Sequence, residues 1–290
     1  MPSAKTIQLF LMDGDPQKRM KATLSNWTGI AFLLPRTMLK ESKQRPELHN
    51  AGVYLLLGVD EEGTSKVYVG QARKRKNDLG VLGRIMEHRG EERLDYWTHA
   101  IALVTSNNTL DATEVSYLEN RLSNMAREAG RYEVVNRNEP SQGSPTEEKQ
   151  AELDEFIGYV RMIIGALGYK VLEPIDATPT PEPAPSEEPL LFMTYGGCDA
   201  RGRQTSDGFA VLKGSRVRPE SDFVRTMPAP ARKKRAQYAA DIASDNTLGK
   251  DILFSSPSAA ASFVGGAALN GLISWRDAQG VTLKDKEKSE

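Results

Sequence analysis

Five side chains in the first half of the sequence have types and spacings that could do chemistry. Tyr54 and Tyr68 lie in two short apolar runs on either side of a polar turn, so alternation along two strands can place both phenols on one side of a hairpin. Arg84 and His88 are four residues apart and share one face if they lie on a helix. Glu119 lies at the border of a helical apolar stripe, where a carboxylate is either a surface group or a site residue. Phenol, imidazole and carboxylate groups can transfer protons, and a guanidinium can bind a phosphate.

Each of these residues also has a structural interpretation when it is taken alone. Tyrosines are common in strands, a basic pair on a helix is usually a solvated face, and an ionised carboxylate is costly to bury without a partner. The order of the residues along the chain, and the elements that carry them, must decide between the two interpretations.

Apolar periodicity predicts the elements that position these residues. In order, they are a hairpin over residues 52–70, a helix over 81–89, a strand over 96–104, a helix after 111 and a strand over 132–135. The polar segment inside the hairpin is too long for a two-residue turn, so we expect a bulge or a connection of about four to six residues. The helix after Asp111 has the clearest start, because Asp111 and Glu114 form a capping box. Asn136 follows the last of these strands.

The flanking sequence predicts further elements. These are strands over 6–12, 19–24 and 28–34, a polar helix over 36–49, a helix with Ser144 as N-cap and Pro145 at its first position that ends near 168, strands over 190–195 and 209–212, a basic helix over 229–243, a short helix over 256–264 and a strand-like end over 281–283.

The predicted organisation has four parts. A β unit over 1–50 packs on a core domain with a trailing helix over 51–172, a proline- and glutamate-rich linker covers 173–189, and an accessory domain covers 190–290. The predicted fold class is α/β (α+β), with a small antiparallel or mixed sheet flanked by helices and a small linked α+β domain at the C-terminus.

The composition limits the class of protein. With 290 residues, of which 39% are hydrophobic and 27% charged, the chain is expected to form about two globular domains. The net charge of -1 hides two basic segments, 73–93 and 216–235, that can present positive patches. We find no signal peptide and no apolar run of about 18 residues, which predicts a cytoplasmic protein without a membrane span.

The cysteine and histidine content limits the possible metal sites. Cys198 is the only cysteine, which excludes an intrachain disulfide and a multi-cysteine zinc site. The three histidines lack the spacing of a zinc motif such as HExxH. Any metal would therefore be held by oxygen ligands.

The order of the candidate residues resembles that of the GIY-YIG nuclease family. The two motifs that name the family correspond to Gly52-Val53-Tyr54 and Tyr68-Val69-Gly70, each with valine in place of isoleucine. The resemblance continues through Arg84 and His88, through the glutamate in Tyr117-Leu118-Glu119-Asn120-Arg121-Leu122, and through the asparagine in Val134-Val135-Asn136-Arg137-Asn138.

Weaker resemblances lie outside this core. Residues 6–50 look like the leader found in a bacterial subgroup of these proteins. Residues 190–285, with Ser256-Pro-Ser-Ala-Ala-Ala, Asn270-Gly271 and Trp275, are similar to modules associated with restriction and modification enzymes.

The resemblance implies an endonuclease that hydrolyses phosphodiester bonds with an activated water. Glu119 would be the sole protein ligand of Mg²⁺ or Mn²⁺, and Arg84 would contact the scissile phosphate. Tyr54 would be the general base, with Tyr68 or His88 as alternatives for that role. Asn136 would orient a water or a tyrosine.

The expected partner is nucleic acid, with DNA favoured over RNA. The basic residues expected to contact its backbone are Arg73, Lys74, Arg75, Lys76 and Arg89. A protein that binds nucleic acid without cutting it is the leading alternative, and an adaptor whose basic residues serve protein partners is another. The presence of Tyr54, Tyr68, Arg84 and Glu119 together favours the nuclease.

Overall fold

The computed structural model describes residues 4–73, 79–136, 140–175, 189–205 and 208–286. The chain divides into two compact units, Met1–Pro174 and Ile175–Glu290. The described residues form a seven-stranded mixed sheet, a four-stranded antiparallel sheet and seven α-helices, which confirms the predicted mixed α and β class. Within those ranges, no helix is both long and apolar enough to cross a membrane.

The first unit contains the seven-stranded sheet. Its strands are β1 (Ile7–Leu11), β2 (Met20–Leu24), β3 (Gly29–Pro35), β4 (Gly52–Val59), β5 (Ser65–Ala72), β6 (Trp97–Thr105) and β7 (Glu133–Val134). Their order across the sheet is β1-β2-β3-β6-β4-β5-β7. All neighbours are antiparallel except β5 and β7, which are parallel. The N-terminal strands therefore extend the same sheet that holds the tyrosine hairpin.

Helices cover both faces of this sheet. They are α1 (Gly80–Glu87), α2 (Ala112–Ala129) and α3 (Glu147–Ala166). The face that carries Tyr54 and Leu56 of β4 packs on α1. The opposite face, which carries Leu55, packs on α2 and α3. Because β4 is covered on both sides, its apolar run is buried almost completely.

The predicted hairpin and capping box are both present. Residues 60–64 connect β4 to β5, and the Asp60 carboxylate accepts hydrogen bonds from the amides of Glu62 and Thr64. At the start of α2, the Asp111 side chain accepts from the amide of Glu114, and the Glu114 side chain accepts from the amide of Asp111.

Two of the predicted elements and the start of a third were wrong. Residues 36–49 form three short 3₁₀ turns, Arg36–Met38, Glu41–Gln44 and Pro46–His49, because Pro46 cannot donate a helical hydrogen bond and keeps Arg45 extended. The N-cap of α3 is Thr146 and not Ser144, since the Thr146 hydroxyl accepts from the amide of Lys149. Residues 281–283 form no strand. Only Thr282 makes a single bridge, and a helical turn follows it.

The second unit contains the four-stranded sheet, with order β11-β10-β9-β8. Its strands are β8 (Leu191–Tyr195), β9 (Cys198–Thr205), β10 (Gly208–Val211) and β11 (Ile252–Phe254), and its helices are α4 (Ala229–Gln237), α5 (Pro257–Gly265), α6 (Gly271–Ser274) and α7 (Leu283–Lys286). The basic helix α4 is thus shorter than the predicted 229–243.

The serine–proline and asparagine–glycine–tryptophan motifs of this unit pack together. Ser256 caps α5, and the backbone of Pro257 lies so close to Gly271 that a side chain there would collide with it. The indole of Trp275, which is fully buried, donates to the Pro257 carbonyl over 3.0 Å. The motif residues therefore have a packing role in the core of the second unit.

Candidate active site

Tyr54 on β4 and His88 at the end of α1 form a buried hydrogen bond. The Tyr54 hydroxyl lies 2.7 Å from Nε2 of His88, and both residues are fully buried. Burial raises the pKa of Tyr54, and the nearby Tyr68 and Glu119 add to this, while the charge and hydrogen bond of Arg84 oppose it. Tyr54 is therefore a neutral phenol at physiological pH.

Glu91 lies on the other side of the His88 ring. Its Oε1 is 2.6 Å from Nδ1 of His88, and its Oε2 accepts from Arg93 over 3.0 Å. Burial alone would raise the pKa of Glu91. The hydrogen bonds and charges of His88 and Arg93 together outweigh burial and lower this pKa below its usual value, so the carboxylate is ionised. Burial lowers the pKa of His88 despite the opposing effect of Glu91.

The hydrogen-bond partners of His88 indicate its tautomer. An ionised carboxylate only accepts hydrogen bonds, so Nδ1 of the neutral ring must carry the hydrogen that it donates to Glu91. Nε2 is then the acceptor for the Tyr54 hydroxyl. The result is a continuous donor chain from Tyr54 through His88 to Glu91.

The second family-like tripeptide supplies Tyr68 and Gly70 on β5. Gly70 is paired with Tyr54 across the two strands, and a Cβ at Gly70 would lie 2.3 Å from the Tyr54 hydroxyl oxygen. Tyr68 is only half-buried, and its ring meets that of His88 edge-on with centroids 5.1 Å apart. Arg93 lies over the Tyr68 ring at 5.5 Å.

Arg84 lies one turn before His88 on α1 and is partly exposed. Its guanidinium forms an ion pair with Glu87 over 2.6 Å. The charge of Arg84 opposes the rise in the pKa of both Tyr54 and Glu119, so its guanidinium lies near both residues. An exposed ion pair of this kind is weak, so a phosphate can compete for the guanidinium.

Glu119 on α2 is half-buried and hydrogen-bonded to the Gln71 side chain. Burial raises the pKa of Glu119, while the Gln71 bond and the charges of Arg73 and Arg84 oppose the rise. In the described part of the chain, three or more histidine, cysteine or acidic residues nowhere gather as a metal cluster. The amide nitrogen of Gln71 donates to the Glu119 carboxylate, since the Gln71 amide oxygen accepts from the Ser116 hydroxyl over 3.2 Å. A single carboxylate can hold an ion such as Mg²⁺, which keeps several waters and takes further oxygens from phosphate.

Asn136 forms two hydrogen bonds with the backbone of β5. Its amide nitrogen donates to the Val69 carbonyl over 2.7 Å, and its amide oxygen accepts from the Val69 amide over 3.1 Å. The side chain thereby extends the β5–β7 pairing by one rung. Asn136 therefore holds the strand that carries Tyr68 and Gly70, and its role in orienting a water or a tyrosine stays a prediction.

Of the five basic residues predicted to contact nucleic acid, the structure describes two. Arg73 is exposed, donates to the Ser116 hydroxyl over 3.3 Å and lies near Glu119. Arg89 is exposed just after His88. The predictions for Lys74, Arg75 and Lys76 concern residues outside the described ranges.

The comparisons with known proteins cover the second unit only. Residues 191–287 match a family described as a domain of unknown function, DUF4357. No curated protein and no solved structure matches the chain. The matched range contains none of the candidate active-site residues, so their roles depend on the geometry described above.

Three residues of the site were missed in the sequence. Gln71 follows Gly70 directly and contacts Glu119, but period-2 alternation alone gives it no special role. Glu91 lies between two 3₁₀ turns after α1, and Arg93 lies in the second of them, where helical spacing no longer predicts which side chains meet. The short distance along the chain between His88 and Glu91 was the one available signal.

Proposed function

We propose that the first unit is a divalent-metal-dependent nuclease that hydrolyses phosphodiester bonds in nucleic acid, with DNA as the favoured substrate. The observation that supports this most directly is the Tyr54–His88 hydrogen bond beside the charges of Arg84 and Glu119. These residues come from three elements, β4, the α1 region and α2, and they supply a proton acceptor, a phosphate-binding cation and a metal ligand.

In this proposal, His88 allows Tyr54 to act as a base although the pKa of Tyr54 is raised. A buried phenol with a raised pKa does not lose its proton to water at neutral pH. The Tyr54 oxygen can instead take a proton from the attacking water while its own proton passes to Nε2 of His88. The Glu91 carboxylate stabilises the imidazolium that results.

Arg84 and Glu119 act on the phosphate side. Arg84 would exchange its exposed partner Glu87 for the scissile phosphate, to which a guanidinium can donate two hydrogen bonds. Glu119 would hold Mg²⁺ or Mn²⁺, with Gln71 fixing the orientation of its carboxylate. When bound, the ion would stabilise the negative charge that develops on the phosphate.

The test is cleavage of labelled single- and double-stranded DNA and of RNA in Mg²⁺, in Mn²⁺ and in chelator. Glu119→Gln keeps the shape of the side chain and removes its charge. We expect it to lower cleavage at least about 100-fold, because metal stabilisation is worth several kcal/mol. Glu128→Gln is the control, since Glu128 is exposed on the same helix.

The other outcomes identify the alternatives. Equal activity in chelator would exclude the metal. Salt-sensitive binding without cleavage in any metal would favour a protein that binds nucleic acid without cutting it. Absence of salt-sensitive binding would favour a protein adaptor.

A further inference from the structure

A cavity of about 750 Å³ opens in the second unit between α4, the end of β11 and the first turn of α5. Its volume lies in the range of small-molecule sites, about 300–1,000 Å³. Pro228, Pro230 and Leu269 are among the apolar residues that line it. Nothing in the proposed cleavage reaction uses this cavity.

Among the described residues that line the cavity, Lys234 alone is ionisable. Its ammonium group is half-buried, donates to the Leu253 carbonyl over 2.7 Å and lies 4.4 Å from the centre of the Phe254 ring. Burial lowers the pKa of Lys234, and no acidic group of the described residues offsets that effect. A cation placed this way gains most from an anionic ligand.

A second feature favours an anion. Ser258 and Ala259 in the first turn of α5 also line the cavity, and the N-terminal end of a helix carries partial positive charge. The positive region is therefore next to apolar walls. Such a site suits a ligand that has an anionic group and an apolar body.

We propose that this cavity binds an unpaired nucleotide of the nucleic acid on which the protein acts, with its phosphate on Lys234 and its base against the proline and leucine wall. The nucleotide must be unpaired, because a base stacked inside a duplex cannot enter a cavity. The identity of the ligand rests on the proposed function, since a nuclease brings phosphates and bases to the protein together.

The test uses the full chain in chelator, so that binding is measured without cleavage. Fluorescence anisotropy with a labelled ten-nucleotide single strand and its duplex gives the affinity for nucleic acid. Calorimetry with adenosine 5′-monophosphate, adenosine and inorganic phosphate separates the base from the phosphate. We expect the single strand to bind more tightly than the duplex, and the monophosphate more tightly than either of its parts.

Two variants and one control address the cavity. Lys234→Met should weaken single-strand binding at least about tenfold, because a charge-assisted hydrogen bond is lost. Ala268→Phe should weaken it similarly by filling the cavity, and Ala268 is exposed, so the chain has room to fold. Arg232→Met removes a charge from an exposed position of the same helix that lies over Phe223, outside the cavity, and should change affinity less than threefold.

The outcomes separate this proposal from the proposed function. Equal weakening of single-strand binding by Lys234→Met and Arg232→Met would indicate diffuse electrostatic attraction and would contradict binding in the cavity. The proposal would also be wrong if Ala268→Phe bound the single strand as tightly as the unchanged protein, or if adenosine 5′-monophosphate bound no more tightly than inorganic phosphate. If the chain cleaves nucleic acid but Lys234→Met does not weaken binding, the proposed nuclease function stands and the proposed cavity site is wrong. If nucleotide binding depends on Lys234 but no cleavage is found, the cavity site stands and the nuclease function is wrong.

Discussion

Tyr54 and Tyr68 are equivalent in the sequence pattern but have different surroundings in the fold. Tyr54 is fully buried and bonded to His88, whereas Tyr68 is half-buried and meets the His88 ring only by its edge. Of the two phenols, Tyr54 alone has a proton acceptor at hydrogen-bond distance in the described structure. Within the proposed mechanism this assigns proton transfer to Tyr54 and His88 acting together, and places Tyr68 closer to solvent.

His88 makes this pair sensitive to pH in a predictable direction. The relay needs neutral His88, and burial lowers the pKa of His88. Cleavage should therefore stay constant as pH falls from 8 and decline only below the usual imidazole pKa of about 6.5. The pH profile of the cleavage rate measures this limb.

Glu91→Gln tests whether Glu91 positions His88. The Glu91 carboxylate raises the pKa of His88, so its loss should move the acidic limb to still lower pH. The plateau rate should also fall about 10- to 100-fold, because the tautomer is no longer fixed. Glu92→Gln, at an exposed neighbouring position, should change neither quantity. A lower plateau with an unmoved limb would indicate a purely structural role for Glu91.

At the scale of the elements, the hairpin explains why a glycine closes the second tripeptide. Antiparallel pairing sets Gly70 directly opposite Tyr54, and the Tyr54 ring lies over the position that a side chain at Gly70 would fill. The phenol reaches His88 only because that space is empty. The glycine therefore serves the geometry of Tyr54 and not a turn.

Gly70→Ala should displace the Tyr54 ring. Because the ring is buried and cannot move into solvent, we expect the free energy of unfolding to fall by about 1–3 kcal/mol, and cleavage to fall with it. Gly158→Ala is the matched control, since nothing lies within 4 Å of a Cβ there and α3 should gain up to about 1 kcal/mol. Urea unfolding and the cleavage rate are the measurements. A Gly70→Ala variant with unchanged stability and activity would show that the Tyr54 ring can adopt another position without loss of function.

Local signals predicted the elements well where the chain pairs with itself nearby. The hairpin and the Asp111 capping box follow from alternation and from one side chain over one turn of helix. The segment 36–49 failed because its polar periodicity hid the effect of Pro46 on the chain before it. The partners of Asn136 and Glu91 could not be predicted for a different reason. These partners, Val69 and His88, depend on which strands pair and on the backbone next to a 3₁₀ turn, and local periodicity predicts neither.

At the scale of the molecule, the two units have separate cores and separate candidate sites. The described candidate residues for cleavage all lie before residue 137, and the cavity at Lys234 lies within the second unit. Arg131 also donates to the carbonyls of Glu173 and Pro174 over 2.6 and 3.2 Å, so the end of the first unit is held on that unit. The first unit therefore has the contacts of a domain that can fold alone.

A chain of residues 1–174 should fold cooperatively and keep metal-dependent cleavage. We expect its KM for single-stranded substrate to rise more than its kcat falls, because the Lys234 cavity is removed while the Tyr54 and Glu119 sites are kept. The reference is the full chain with Lys234→Met, which should show the same rise in KM if the cavity is the main contribution of the second unit. Thermal unfolding establishes that the shortened chain is folded. A folded 1–174 without any cleavage, measured beside an active full chain, would show that the second unit takes part in the reaction itself and does more than bind substrate.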